Sequence, residues 1–294
     1  MSNKVEAGNT CDMPLVSVCI PVYNNADTII ETIESIMNQI YSNIEILIAD
    51  DRSQDNSYEV INDYILNMDN NPRFAGKTIA LERNEKNLGM SGNWNHCLEM
   101  CNGKYIKLIC GDDLIHETLI AREVEIMEQH PEVNLVQTDT RFIDMNGNGT
   151  GFYRRYHKSG VVNGVDACKF SIFTRDYLGA PLANLIRKSA YDAWGGFDPE
   201  FSFIIDYDFC MKFCSRGKIY ILHEPLNYFR IRNDSNTSQV MNGEKGKMYI
   251  DEHRRLVEKY ADELGLKPWQ INLSVLIRRI TIALGGIYLK IFVK

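Results

Sequence analysis

The chain has 294 residues, 45% hydrophobic and 24% charged, ordinary globular values that leave room for one large domain or two small ones. Its net charge of -7 argues against a nucleic-acid binder working through a general basic field. Met1 to Met13 is polar and has no apolar stretch of the kind a signal peptide needs. A disordered tail is expected over 1–13, on a cytosolic chain whose eight cysteines stay reduced.

Leu15 to Pro21 is a short apolar strand stopped by its proline. Asp27 or Thr28 can then cap a helix to Met37, with Ile29, Ile33, Ile36 and Met37 as its apolar face. Ile44 to Ala49 is a second buried strand, ending on Asp50 and Asp51. A helix follows from about Ser57 to Leu66, then a strand from Thr78 to Leu81. A polar loop with Asn84, Asn87 and Gly89 leads to a helix from about Ser91 to Met100. Strand and helix patterns thus alternate through the first 115 or so residues, the signature of βαβ units and a mainly parallel sheet.

Tyr105 to Cys110 is the next buried strand, and Gly111 ends it just before Asp112 and Asp113. Ligands of open α/β sheets bind at the carboxyl ends of strands. Two adjacent carboxylates there either hold a divalent cation together with substrate phosphates or cap the following helix. That helix is expected from about Glu117 to Gln129, then a strand from Leu135 to Thr138. Asp144 to Gly151 reads as a hairpin tip. Beyond it the alternation is lost, and α+β elements are expected to cover one side of the sheet. The pairs Cys97/Cys101 and Cys210/Cys214 each lie on one helical face and read as buried small residues, not zinc ligands. No GxGxxG or GxxxxGK[ST] occurs, so a bound nucleotide must be held by side chains and metal.

Four blocks, in order, resemble a family 2 glycosyltransferase with the GT-A fold. They are Val16–Asn24 (VSVCIPVYN), Ile48–Asp55 (IADDRSQD, with Arg52 where glycine is usual), Asn87–Leu98 (NLGMSGNWNHCL, with Trp94 where arginine is common) and Gly195–Phe213 (GGFDPEFSFIIDYDFCMKF). The resemblance implies an α/β GT-A domain over 14–235 with a helical extension over 236–294. It also implies inverting transfer from a nucleotide-sugar donor to a glycan or lipid-linked acceptor. By the same resemblance Pro21, Val22 and Tyr23 would line the base and ribose pocket. Asp51 would accept the ring N–H of uracil, pointing to a UDP-sugar. Asn87 and Asn95 would orient ribose or diphosphate, or else satisfy loop backbone.

The family often reads DxDD where this chain has Cys110-Gly111-Asp112-Asp113. Asp112, with Asp113 beside it, would then hold Mn2+ or Mg2+. The Cys110 thiol suits neither cation, because both prefer oxygen ligands. Asp206 takes the position of the family's catalytic base, and Asp208, two residues on, would point elsewhere. Arg232 stands where the family often has a histidine, and would either pair with the departing diphosphate or stand as a solvated surface arginine. Cys110 and Arg232 also suit a rival, a relative that binds sugar nucleotide or glycan without turnover. A sugar-nucleotide pyrophosphorylase is disfavoured, since Pro21 to Asp27 has neither the glycines nor the basic residue of a phosphate loop.

Ile271 to Lys294 has Leu273, Leu276, Ile277, Ile280, Leu284, Ile287 and Ile291 at helical spacing and no acidic residue. A transmembrane span would put two arginines near its middle, at roughly 2.5 to 3.5 kcal/mol each. Two readings stand: a helix packed on the catalytic domain, or a helix lying on the cytoplasmic face of the membrane.

Overall fold

A computed structural model describes residues 13–68, 75–232 and 246–292, with side chains as far as residue 283. The tail expected over 1–13 lies outside these residues except for Met13. Strands β1 (Val16–Val22), β2 (Ile44–Asp50), β3 (Lys77–Arg83) and β4 (Tyr105–Leu108) are separated in the chain by helices α1 (Ile29–Met37), α2 (Ser57–Asn67) and α3 (Gly89–Glu99). The four strands pair in parallel, β1 between β2 and β4. β1 is buried along its whole length. Its alternate residues Val16, Val18, Ile20 and Val22 share one core with Ile29, Ile33 and Ile36 of α1. Cys19 points the other way, into a second core with Cys97 and Leu98 of α3. Helices therefore cover both faces, as a parallel sheet requires.

The remaining elements are β5 (Leu114–Ile115), α4 (Leu119–Gln129), β6 (Val133–Ile143), β7 (Gly149–Tyr153), β8 (Gly160–Asn163), α5 (Gly164–Ile172), β9 (Asn184–Arg187), α6 (Lys188–Trp194), α7 (Ile205–Cys214), β10 (Lys218–Arg230), α8 (Gly246–Lys259) and α9 (Pro268–Phe292). They correct the expectation that the second half only covers the sheet. The sheet runs β3-β2-β1-β4-β9-β6-β10-β5, with β7 on β6 and β8 on β10. β9 runs antiparallel between β4 and β6, matching Ile106 to Ile186 and Val136 to Leu185, so the open edge of β4 is extended. β5 has only two residues, too few for periodicity to mark, and it pushes the next helix to start at Leu119. The expected hairpin tip joins β6 to β7, with Asp144 Oδ1 accepting from the N–H groups of Asn146 and Asn148. The described cysteines are free, and both C-x3-C pairs are buried.

The C-terminal helix forms and packs on the domain, with most of the described part of its apolar stripe turned outward. Ser274, Val275 and Arg278 face inward, whereas Leu273, Leu276 and Ile280 are exposed. Leu284, Ile287 and Ile291 lie beyond the described side chains.

Candidate active site

The carboxyl ends of β1, β2 and β4 open into a pocket of about 380 Å3, lined by Pro21, Val22, Tyr23, Asp51, Asn87 and Asp112, with Trp94 and Cys110 at one side. The sequence-predicted donor residues, Asn95 and Arg232 aside, thus converge. Asp51 N–H donates to Val22 O at 2.8 Å, which continues the β1–β2 pairing one step into the loops. Its carboxylate Oδ1 accepts from Asn84 Nδ2 at 2.8 Å and from the Leu88 N–H at 2.7 Å. Other acids brace the loop after β2: Asp50 accepts from the Ser53 N–H and Asp55 from the Ser57 N–H. Asn87 Nδ2 donates to Asp51 O at 2.8 Å, and its Oδ1 accepts from the Gly89 N–H at 3.1 Å. Asp51 and Asn87 therefore brace one another in the pocket wall.

Asp112 and Asp113 diverge. Asp112 lines the donor pocket, with Arg232 Nη1 3.9 Å from its Oδ2. Asp113 is buried and turns toward the next cavity, where its Oδ1 accepts from the Arg230 N–H at 3.0 Å. Burial, and then the adjacent Asp112 charge, hold the Asp113 carboxyl well above the usual carboxylate range. Arg230 fixes the pair: its Nε donates to Asp112 O at 2.8 Å and its Nη2 reaches Glu31 at 2.6 Å. Among the described residues no group of three or more acidic, histidine or cysteine side chains is arranged to hold a metal. The donor set fits a cation only as one carboxylate, Asp112, completed by diphosphate and water.

A second cavity of about 260 Å3 adjoins the first, and Trp94 and Cys110 line both. It contains Asp206, Asp176, Arg155, Tyr153 and Phe229. Asp206 sits in the first turn of α7, where its Oδ1 accepts from the Tyr207 N–H at 2.8 Å. Its Oδ2 accepts from the Ala180 N–H at 3.0 Å. Ala180 holds φ at +69°, a left-handed value costly for a non-glycine residue, and that conformation presents its N–H to Asp206. Burial, then the Asp176 carboxylate, push the Asp206 pKa up to about 6. Burial, then Asp113, Asp112 and Asp206, likewise raise the Cys110 thiol, which keeps its proton.

Asp208 points away, as its position predicts. It is buried, and its Oδ1 accepts from Lys259 Nζ at 2.7 Å and Tyr260 Oη at 3.0 Å, tying α7 to the end of α8. Asn95 uses both ends of its amide on loop backbone. Its Nδ2 donates to Phe197 O at 2.9 Å and its Oδ1 accepts from the Phe197 N–H at 2.7 Å.

Residues 17–179 match the sequence profile described as Glycosyl transferase family 2. The chain belongs to this family. A similar relative is chondroitin synthase of Escherichia coli, 26% identical over 92% of this chain but only 36% of the relative. The glycosyltransferase thus spans about a third of that protein. The beta-1,3-glucosyltransferase WfaP of Escherichia coli, described as acting from UDP-Glc on GlcNAc-diphosphoundecaprenol, is 35% identical over 40% of this chain and 42% of its own. Staphylococcus aureus TarS 1–349, solved with UDP-GlcNAc, superposes with a TM-score of 0.68 at 18% identity, covering 94% of this chain and 76% of TarS. That likeness shows the shared GT-A fold.

Among the residues of this glycosyltransferase's second cavity that the sequence missed are Asp176, Gly179 and Arg155. Arg155 is buried, and its Nη1 and Nη2 donate to Gly179 O and Thr140 Oγ1, each at 2.9 Å. Asp176 Oδ1 accepts from the Leu178 and Gly179 N–H groups at 2.9 and 2.8 Å. All three fall where regular alternation has ended. The one local signal is a turn-forming Asp with glycine three residues on, followed by Ala-Pro.

Proposed function

We propose that this glycosyltransferase moves a sugar, with inversion, from a UDP-sugar to a glycan or lipid-linked acceptor in cell-surface polysaccharide synthesis. The observation that carries the reading is the placement of Asp206. Its carboxyl lies in a cavity that meets the donor pocket at Trp94 and Cys110. Asp51, in the donor pocket wall, accepts from no described residue at Oδ2, which suits an acceptor for the ring N–H of uracil, a donor that cytosine lacks. The UDP-sugars named for WfaP and TarS point the same way.

In the reaction, Asp206 takes the proton of the acceptor hydroxyl as that oxygen attacks the anomeric carbon. The bond from that carbon to the β-phosphate oxygen breaks on the opposite face, and UDP leaves toward Asp112 and Arg232. Tyr207 and Ala180 N–H groups fix the carboxylate without neutralising it. A pKa near 6 keeps it mostly ionised at neutral pH yet a stronger base than an ordinary aspartate. Mn2+ or Mg2+, when bound by Asp112, would supply positive charge to the leaving diphosphate.

Cys110 supports a second reading, a relative that binds donor or glycan without turnover, since a protonated thiol stands where the family often has an aspartate. The test is a thermal-shift screen of UDP-, GDP- and dTDP-sugars with and without Mn2+, followed by donor hydrolysis. A melting rise with UDP-sugars and release of UDP supports transfer. A rise without UDP release, with or without glycan acceptors, supports the silent reading. Tightest binding of a GDP-sugar would overturn the assignment to Asp51.

A further inference from the structure

Helix α9 is mounted inside out. Its inward face carries Ser274, Val275 and Arg278, none more than 4% exposed. Arg278 Nη2 donates to Ser171 O at 3.4 Å, Arg254 of α8 donates to Asn272 at 3.2 Å, and Ile271 packs against the core, so polar and apolar contacts together hold the helix on the domain. Its outward face carries Trp269, Leu273, Leu276 and Ile280, exposed by 61%, 39%, 53% and 50%. Their spacing of four, three and four residues puts them within an arc of about 60°. A contiguous apolar row turned to water marks an interaction surface.

The charge pattern selects the occupant. The helix has no acidic residue, within a chain of net charge -7, and its Arg278 is spent inward on Ser171 O. Arg279 is exposed beside the apolar row. A second copy docking through the same face would offer Arg279 no acidic residue of this helix to pair with. No described helix is long and apolar enough to cross a membrane. An anionic lipid surface answers both features, apolar side chains entering the acyl boundary and arginine meeting headgroup phosphates.

We propose that α9 lies flat on an anionic membrane surface, with Trp269, Leu273, Leu276 and Ile280 as its inserted row. The inference does not depend on the donor or on Asp206 being the base. It does orient the site: α8 packs against α9, and Lys259 and Tyr260 tie the end of α8 to Asp208 on α7. The cavity around Asp206 is thereby fixed relative to the lipid surface.

The test is sedimentation of the full chain with phosphatidylglycerol–phosphatidylcholine vesicles and with phosphatidylcholine alone. The chain should pellet with the anionic vesicles and less so at high salt, and brominated lipid should quench Trp269. Leu273→Gln/Leu276→Gln/Ile280→Gln should stay in the supernatant with unchanged melting temperature and UDP binding. Arg279→Glu should weaken vesicle binding by roughly tenfold, and it serves as the second variant if the triple one fails to fold. Absence of vesicle binding by the intact chain, or equal binding by well-folded variants, overturns the proposal. So does a dimer in analytical ultracentrifugation that the triple variant makes monomeric while vesicle binding stays absent.

Discussion

Asp176 and Asp206 approach one another across Gly179. A Cβ added at Gly179 would collide with Asp176 Oδ2 and stand 3.1 Å from Asp206 Oδ2. Only a bare Cα fits between the two carboxyl groups. The like charge adds to burial in lifting the Asp206 pKa to about 6. In the sign of the linkage, the folded carboxyl binds a proton more tightly than the unfolded one. Its contribution to stability is therefore full below the unfolded pKa and lost as pH rises through about 6. At neutral pH the ionised group costs up to about 3 kcal/mol. Asp206→Asn should melt higher than wild type at neutral pH, and the difference should close on acidification. Transfer should fall roughly a hundredfold in the same variant while UDP binding persists. Wild-type transfer by this variant would remove Asp206 as the base.

Asp176 acts on that base from the side. Asp176→Asn keeps an oxygen for the Leu178 and Gly179 N–H groups and removes the like charge. The acid limb of the rate profile for transfer should move to lower pH, with the donor KM unchanged. An acid limb that stays in place, in a variant that folds and binds UDP normally, would show that burial alone sets the Asp206 pKa.

The metal question turns on Asp112. Asp112→Ala should abolish the tightening of UDP by Mn2+, because Asp113 is turned to the other cavity and only diphosphate and water remain beside the cation. Cys110→Asp should keep or improve that tightening by adding an oxygen ligand at the junction of the two cavities. Unchanged Mn2+ dependence in Asp112→Ala, measured by calorimetry, would exclude a cation bridged to Asp112.

The first half of the fold was legible because each strand there is an apolar run cut by a turn residue and followed by a 3.6-period helix. The second half was not, because β9 has four residues and takes its place by pairing with strands far away in sequence. Arg52 illustrates a local departure that the sequence marked but could not explain. It holds φ at +59° where the family has glycine, and its Nε donates to Glu85 O at 3.1 Å. That bond offsets part of the left-handed strain. Asp51, Asp112 and Asp206 were readable as strand-end or helix-start acids in recognisable blocks. Asp176 was not, since its relation to Asp206 exists only once α5 and α7 pack together. The apolar periodicity of α9 carries no information on which face meets the domain.

Behind the donor pocket, Lys107 of β4 and Glu123 of α4 form an ion pair whose side chains are both fully buried. Lys107 Nζ donates to both carboxylate oxygens at 3.0 Å, and Thr138 Oγ1 donates to Glu123 Oε1 at 3.0 Å. Burial lowers the lysine pKa and raises that of the glutamate, each toward its neutral form, while their mutual attraction opposes the change. Removing one partner strands the other charge in the core. Lys107→Met should therefore cost on the order of 3 to 5 kcal/mol, whereas Lys107→Met/Glu123→Leu should recover most of that loss. β4 ends just before Asp112, so the single variant should also weaken UDP binding and the double variant should restore it. Urea denaturation of Lys107→Met, Glu123→Leu and the double variant measures the coupling. Strict additivity, with the double variant less stable than either single one, would show that the pair is not the unit that holds β4 against α4.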